Sequence, residues 1–224
     1  MRLATRRTIL ATLLTGGVVG VATWVVFFSP VLGVRSIEVT GDVTVPADQL
    51  RQAAGVRLGT PLATVDLGLV EQRVRAVREV ESARVDRAWP GTLRVAVVER
   101  TAIAVALLGP GRSAVLDRFG VILREVAVAP PRLPLLRVQR LAADDPSTRS
   151  ALTVLSVLPG DVLARVSQVR APSPKSVTLK LTDGRTVIWG DAGRAAEKGR
   201  LLTTLLTRPA TSYDISSPKV VTVK

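Results

Sequence analysis

The sequence predicts an α+β protein with an N-terminal transmembrane helix, a domain of order β-α-α-β-β, and a mostly antiparallel β-domain with two helices. Three observations lead there. Residues 9–28 form a 20-residue stretch inside a chain segment that carries no charge between Arg7 and Arg35. Residues 34–101 switch between period-two and helical apolar spacing in the order strand, helix, helix, strand, strand. Residues 102–224 hold several short β runs punctuated by Gly, Pro and Asp.

The N-terminal stretch comes first. As a helix, 20 residues span about 30 Å, the thickness of a hydrocarbon core. The run is longer than a signal-peptide apolar core, and Ser29-Pro30-Val31-Leu32-Gly33 lacks an A-x-A cleavage pattern. Residues 9–28 are therefore expected to anchor the chain, with residues 1–8 as a cytoplasmic tail. Arg2, Arg6 and Arg7 set the N-terminus inside and both domains outside. Gly16 and Gly20 make a G-x-x-x-G, small residues four apart that let two membrane helices pack closely.

Val34 to Val39 alternates apolar and polar as a strand, and Thr40-Gly41-Asp42 supplies a turn. A helix is expected from Pro46, with Pro at its first position and Gly55 as C-terminal cap. Asp66 caps a second helix, in which Leu67, Val70, Val74 and Val77 share one face. Val80 to Ala88 reads as a strand, Trp89-Pro90-Gly91-Thr92 as a turn, and Leu93, Val95 and Val97 as inward positions of a third strand. Trp89 is expected to cap this turn and pack on the helices, the alternative being an exposed docking residue. Glu99 and Arg100 read as a strand-end ion pair.

In the second domain, Ala102 to Leu108 is a strand and residues 115–123 a hairpin. Leu135 to Val138 is extended. Asp145-Pro146 opens a helix with Leu152, Leu155 and Leu158 inward, and Pro159-Gly160 stops it. Val166 to Val169 is a short strand. Val177 to Leu181 and Thr186 to Trp189 form a hairpin whose Asp183-Gly184 supplies positive φ angles. A helix runs from about Ala192 to Thr207 with Leu201, Leu202, Leu205 and Leu206 on one stripe. Residues 212–223 close the chain as two extended pieces around Pro218.

Several offsets agree at once with one known family. Ile37-Glu38-Val39-x-Gly41, Gly59-x-Pro61-Leu62 and Trp89-Pro90-x-x-Leu93-x-Val95-x-Val97-x-Glu99-Arg100-x-x-x-Ala104 resemble the FtsQ/DivIB bacterial cell-division family, in which this segment is a POTRA domain. Asp117-x-x-Gly120-Val121, Leu133-Pro134, Asp183-Gly184-x-x-Val187-x-x-Gly190 with Lys198 and Leu201, and Asp214-Ile215-Ser216-x-Pro218 are similar to its β-domain. The resemblance implies a POTRA domain over 34–101 and an FtsQ-type β-domain over 102–224.

It also implies a non-enzymatic divisome scaffold that regulates septal peptidoglycan synthesis. Its partners would be FtsB/DivIC-like and FtsL-like proteins, and its site the division septum. The implied partner surface is Tyr213, Asp214, Ile215, Ser216, Ser217, Val220, Val221 and Thr222. Physics offers the route: a sheet edge has unpaired N–H and C=O groups to which an extended peptide adds.

Composition limits the alternatives. The 224 residues hold 31 Lys plus Arg, 18 Asp plus Glu, no His and no Cys, for a net charge of +13. Thiolate nucleophiles, Ser-His-Asp triads and His- or Cys-ligated metals are excluded. A Ser-Lys pair would need a Ser against a desolvated Lys. Ser173, Ser176 and Ser217 lie in Pro-rich loops beside Lys175 and Lys219, and Lys180 and Lys198 fall on a hairpin face and a helix. Asp144-Asp145 is explained by helix capping. No catalytic residue, cofactor, metal, nucleic acid or small-molecule substrate is expected. The competing reading is an envelope tether that holds anionic wall polymer or lipid through its arginines.

Overall fold

The computed structural model describes residues 13–21, 23–24, 32–41, 44–217 and 220–223. The chain divides into two compact units, Met1–Arg100 and Thr101–Lys224. Residues 13–21 and 23–24 are helical and exposed. The rest of the expected anchor, residues 9–12, 22 and 25–28, lies outside the described residues, as does the tail. No helix among the described residues is long and apolar enough to cross a membrane.

Unit 1 contains β1 (Ser36–Thr40), α1 (Ala47–Ala54), a 3-10 turn (Leu62–Thr64), α2 (Leu67–Arg75), β2 (Val80–Ala88) and β3 (Thr92–Glu99). The expected order is met. The sheet runs β1-β3-β2, with β1 parallel and β2 antiparallel to the central β3. Alternation explains its core: Leu93, Val95 and Val97 of β3 face inward onto Leu50 and Ala54 of α1 and Val70 and Val74 of α2. Local chemistry sets the helix ends. Asp66 accepts from the Leu69 N–H at 3.1 Å, and Gly55 ends α1 in the left-handed region at φ 64°. Pro46 occupies the position before α1 rather than its first residue, where its fixed φ is equally compatible.

Unit 2 holds β4 (Ala102–Gly109), β5 (Arg112–Asp117), β6 (Ile122–Val126), β7 (Leu135–Val138), α3 (Pro146–Ser156), α4 (Gly160–Leu163), β8 (Val166–Ala171), β9 (Val177–Leu181), β10 (Thr186–Gly190), α5 (Ala195–Leu205), β11 (Ser212–Ser217) and β12 (Val220–Val223). They form one nine-stranded sheet in the order β12-β11-β10-β9-β8-β7-β4-β5-β6. Pairing is mostly antiparallel, with parallel contacts at β4/β7, β7/β8 and β10/β11. α3 packs across β4, β7, β8 and β9, and α5 packs on β11.

Two expectations are corrected here. Pro159-Gly160 ends α3 but then opens the single turn α4, because Pro suits the position before a helix. The β9/β10 connection is also not a two-residue turn with both residues at positive φ. Leu181 accepts from the Gly184 N–H at 3.1 Å and donates to the Arg185 carbonyl at 2.8 Å, and only Gly184 is left-handed, at φ 89°. The motif Asp117-x-x-Gly120-Val121 also acquires a reason. Asp117 is buried and accepts from the N–H groups of Phe119 and Val121, while Gly120 turns the chain at φ 80°.

Candidate functional site: the C-terminal sheet edge

Strand alternation decides which side chains of the last strands reach solvent. Val187 and Trp189 of β10, and Tyr213 and Ile215 of β11, all face the core under α5. Ile188 and Ser216 lie on the outer face. Residues 186–188 pair in parallel with 212–214, so β10 covers one edge of β11. On the other edge Tyr213 pairs with Val223, Asp214 with Thr222 and Ser217 with Val220, with a register shift between Asp214 and Ser217. β11 is therefore an interior strand, and β12 is the outermost strand among the described residues.

The eight expected partner residues separate accordingly. Tyr213 and Ile215 are fully buried. Asp214 is half-buried; Ser216, Ser217 and Thr222 are exposed, and Val220 and Val221 belong to β12. Gly16 and Gly20 lie on the N-terminal helical residues, with open space around both.

A polar network fixes β11 against the hairpin. Arg185 donates to the Asp183 carboxylate at 2.8 Å, to the Tyr213 hydroxyl at 2.8 Å and to the Leu206 carbonyl at 3.3 Å. The Tyr213 hydroxyl donates onward to the Arg208 carbonyl at 2.6 Å. At the far end of β10, Gly190 has φ 79°, and a Cβ there would lie 2.9 Å from that of Ser216. This glycine is required both by its backbone angle and by the close approach of β11.

Sequence reasoning placed Lys198 on a helix but missed its burial. It is 1% exposed and donates to the carbonyls of Trp189 (3.0 Å) and Asp191 (3.1 Å) and to Asp191 Oδ1 (3.2 Å). Three donors meet three acceptors, which is how a buried ammonium is tolerated. The signal was present: Ala195, Lys198, Leu202 and Leu205 recur at helical spacing, and all are buried.

These contacts carry a pH dependence. Arg185, first by its side-chain hydrogen bond and then by its N–H, holds the Asp183 carboxyl down at about 2. The Lys198 hydrogen bond likewise lowers that of Asp191. Both folded values lie below the unfolded one of about 3.9, so the stabilisation is complete above it and lost as pH falls through the folded values. Thermal midpoints are expected to hold from about pH 7 to 5 and to decline between about 4 and 2. Asp183→Asn should flatten part of that decline.

Unit 1 adds two observations. Trp89 is 51% exposed, so the expected packing covers at most half of it. The Gly91 carbonyl of the same turn accepts from the N–H groups of Arg35 and Ser36. Both carboxylate oxygens of Glu99 accept from Thr44, one from its N–H and one from its hydroxyl.

Comparison with known proteins places these features. Residues 32–100 match the family model "POTRA domain, FtsQ-type", and residues 104–219 match "Cell division protein FtsQ/DivIB, C-terminal". The cell division protein FtsQ of Mycolicibacterium smegmatis is 43% identical over 198 residues, covering 88% of this chain and 59% of the relative. That of Streptomyces bingchenggensis is 36% identical over 231 residues, covering 97% and 86%. The chain thus spans about three fifths of the length of the mycobacterial relative. A solved structure, the major extracytoplasmic domain of the trans isomer of DivIB from Geobacillus stearothermophilus, aligns at 21% identity and a TM-score of 0.39, over 49% of this chain and 93% of that one. Two adjoining family models and a relative matched over 86% of its length make this chain a member of the FtsQ/DivIB family of cell-division proteins.

Proposed function

We propose that the chain is a non-enzymatic scaffold of the division machinery that receives a partner's extended segment as an added strand on β12. In this reading residues 9–28 anchor it in the cytoplasmic membrane, with both units outside, at the septum. The partner class is that of FtsB/DivIC-like proteins, with an FtsL-like protein joining and septal peptidoglycan synthesis as the regulated process. Gly16 and Gly20 add a membrane-helix contact, which raises the effective concentration of a partner already held at β12.

One observation carries this reading: the two outer strands of the nine-stranded sheet differ in chemistry. β6 reads ILREV, and its Glu125 is ion-paired to Arg112 at 2.8 Å. Charges on an outer strand discourage pairing with another chain. β12 reads VVTV, uncharged and wholly β-branched, the composition that suits a strand able to accept a neighbour.

The test is photo-crosslinking in cells from position 222 and from position 213, together with deletion of residues 220–224. Crosslinks to a small division protein are expected from 222 and not from the buried 213. The deletion should weaken capture by about tenfold or more, because several main-chain hydrogen bonds of about 0.5–1.5 kcal/mol each are lost. Undiminished capture sinks the assignment. Capture that instead falls steeply with salt would favour the anionic-polymer tether.

A further inference from the structure

The end of unit 1 where the chain enters its sheet has a surface that β12 does not explain. Gly33, Val34 and Arg35 run there between two loops. On one side the Gly59 N–H donates to the Val34 carbonyl and the Val34 N–H to the Thr60 carbonyl, both at 2.8 Å. On the other side the Arg35 N–H donates to the Gly91 carbonyl at 2.7 Å. Each loop turns a large apolar side chain into solvent: Leu58 is 68% exposed, and Trp89 stands out from the turn before Gly91. Residues 32–35, 55–62 and 88–92 include the exposed Arg35 and Arg57 and no acidic residue. A groove of about 660 Å³ beside β1, lined in part by Arg35, Ile37, Arg51, Val56, Arg57 and Leu58, borders the same end, its Arg51 being ion-paired to Asp48 at 2.6 Å.

The opposite end of the sheet differs in charge. β2 begins where β3 finishes, with Val80 opposite Glu99, so Glu79, Glu81 and Glu99 collect there. Unit 1 is therefore arginine-rich at its entry, where Arg51 is ion-paired to Asp48, and carboxylate-bearing at its exit.

We propose that the entry end seats on an anionic bilayer surface, with Trp89 and Leu58 in the interfacial layer and Arg35 and Arg57 on lipid phosphates. Indole and arginine side chains, each an apolar body with a polar tip, suit that layer. Chain length brings the surface within reach. With the anchor ending at residue 28, residues 29–34 extend at most about 22 Å, so Val34 cannot be farther than that from the membrane. The proposal rests on the anchor in "Proposed function" and goes beyond it, because the anchor alone leaves unit 1 without a defined orientation at the membrane.

The absence of cysteine makes the test direct. Leu58→Cys, Trp89→Cys and Thr40→Cys each accept one fluorophore, Thr40 being exposed and at the exit end. The full chain is reconstituted in phosphatidylcholine vesicles with and without phosphatidylglycerol, and the probes are quenched with a headgroup-nitroxide lipid. Quenching at 58 and 89 is expected to exceed that at 40 severalfold, and the excess should shrink without phosphatidylglycerol.

Equal quenching at the three positions, in vesicles from which alkaline carbonate does not extract the chain, overturns the seating and leaves the anchor standing. Extraction by carbonate overturns both. An excess independent of phosphatidylglycerol overturns the anionic assignment. Shielding of position 58 that persists in detergent without lipid means that a peptide or a second copy fills the groove, and also overturns the proposal.

Discussion

Tyr213→Ala is expected to destabilise unit 2 by about 3–5 kcal/mol, the range for truncating a buried aromatic ring. The ring is fully buried in the core under α5, and the hydroxyl joins Arg185 to the Arg208 carbonyl. Truncation leaves a cavity and removes a hydrogen-bond bridge between α5's end and the hairpin. The thermal midpoint should fall by on the order of 10–20 °C. Tyr213→Phe keeps the ring and should cost only about 1–2 kcal/mol. Urea unfolding of the two variants measures the difference. A Tyr213→Ala protein as stable as the parent, yet deaf to its partner, would return this residue to the binding surface. If it is destabilised as expected, loss of partner capture in that variant reports the sheet rather than a contact.

Lys198→Met is the second large effect. Methionine fits the volume, but the carbonyls of Trp189 and Asp191 lose their donor. An orphaned buried acceptor costs about 1–3 kcal/mol, so the variant should lose about 2–4 kcal/mol in all. The Asp191 carboxylate is more than half exposed and rehydrates, which keeps the loss below that of breaking a wholly buried ion pair. Residues 190–194 carry Gly190 and Arg194 at positive φ, and this loop leads from the strand beside β11 into α5. Loosening it should speed amide exchange in β11 as well as lower the midpoint. Unchanged exchange at Asp214 to Ser216 would confine the role of Lys198 to α5.

The order of elements was legible because each rests on a local signal. Asp66 and Asp145 cap helices through their own side chains, Gly55 ends α1 at positive φ, and the alternation of β3 and β9 sorts their inner residues. The C-terminal sheet edge was only half legible. A C-terminal strand pair could be read around Pro218, but which strand was outermost depends on β10 lying parallel to β11, a contact between residues 186–188 and 212–214. Nothing local in Ser212–Ser217 announces it.

Lys198 was misjudged for a related reason. Its spacing put it on the buried stripe, but a charge there is acceptable only because a loop ending β10 folds three oxygens around it.

By itself, then, the sequence determined this protein's periodicities, caps and turns, and through their spacing its family, because those signals act over a few residues. Only the tertiary structure decided that Tyr213 and Ile215 face inward, that β12 forms the margin, and that the entry end of unit 1 gathers arginine, leucine and tryptophan. Those outcomes depend on strands and loops distant in sequence meeting in one register, and backbone hydrogen bonding imposes that register on all of them together.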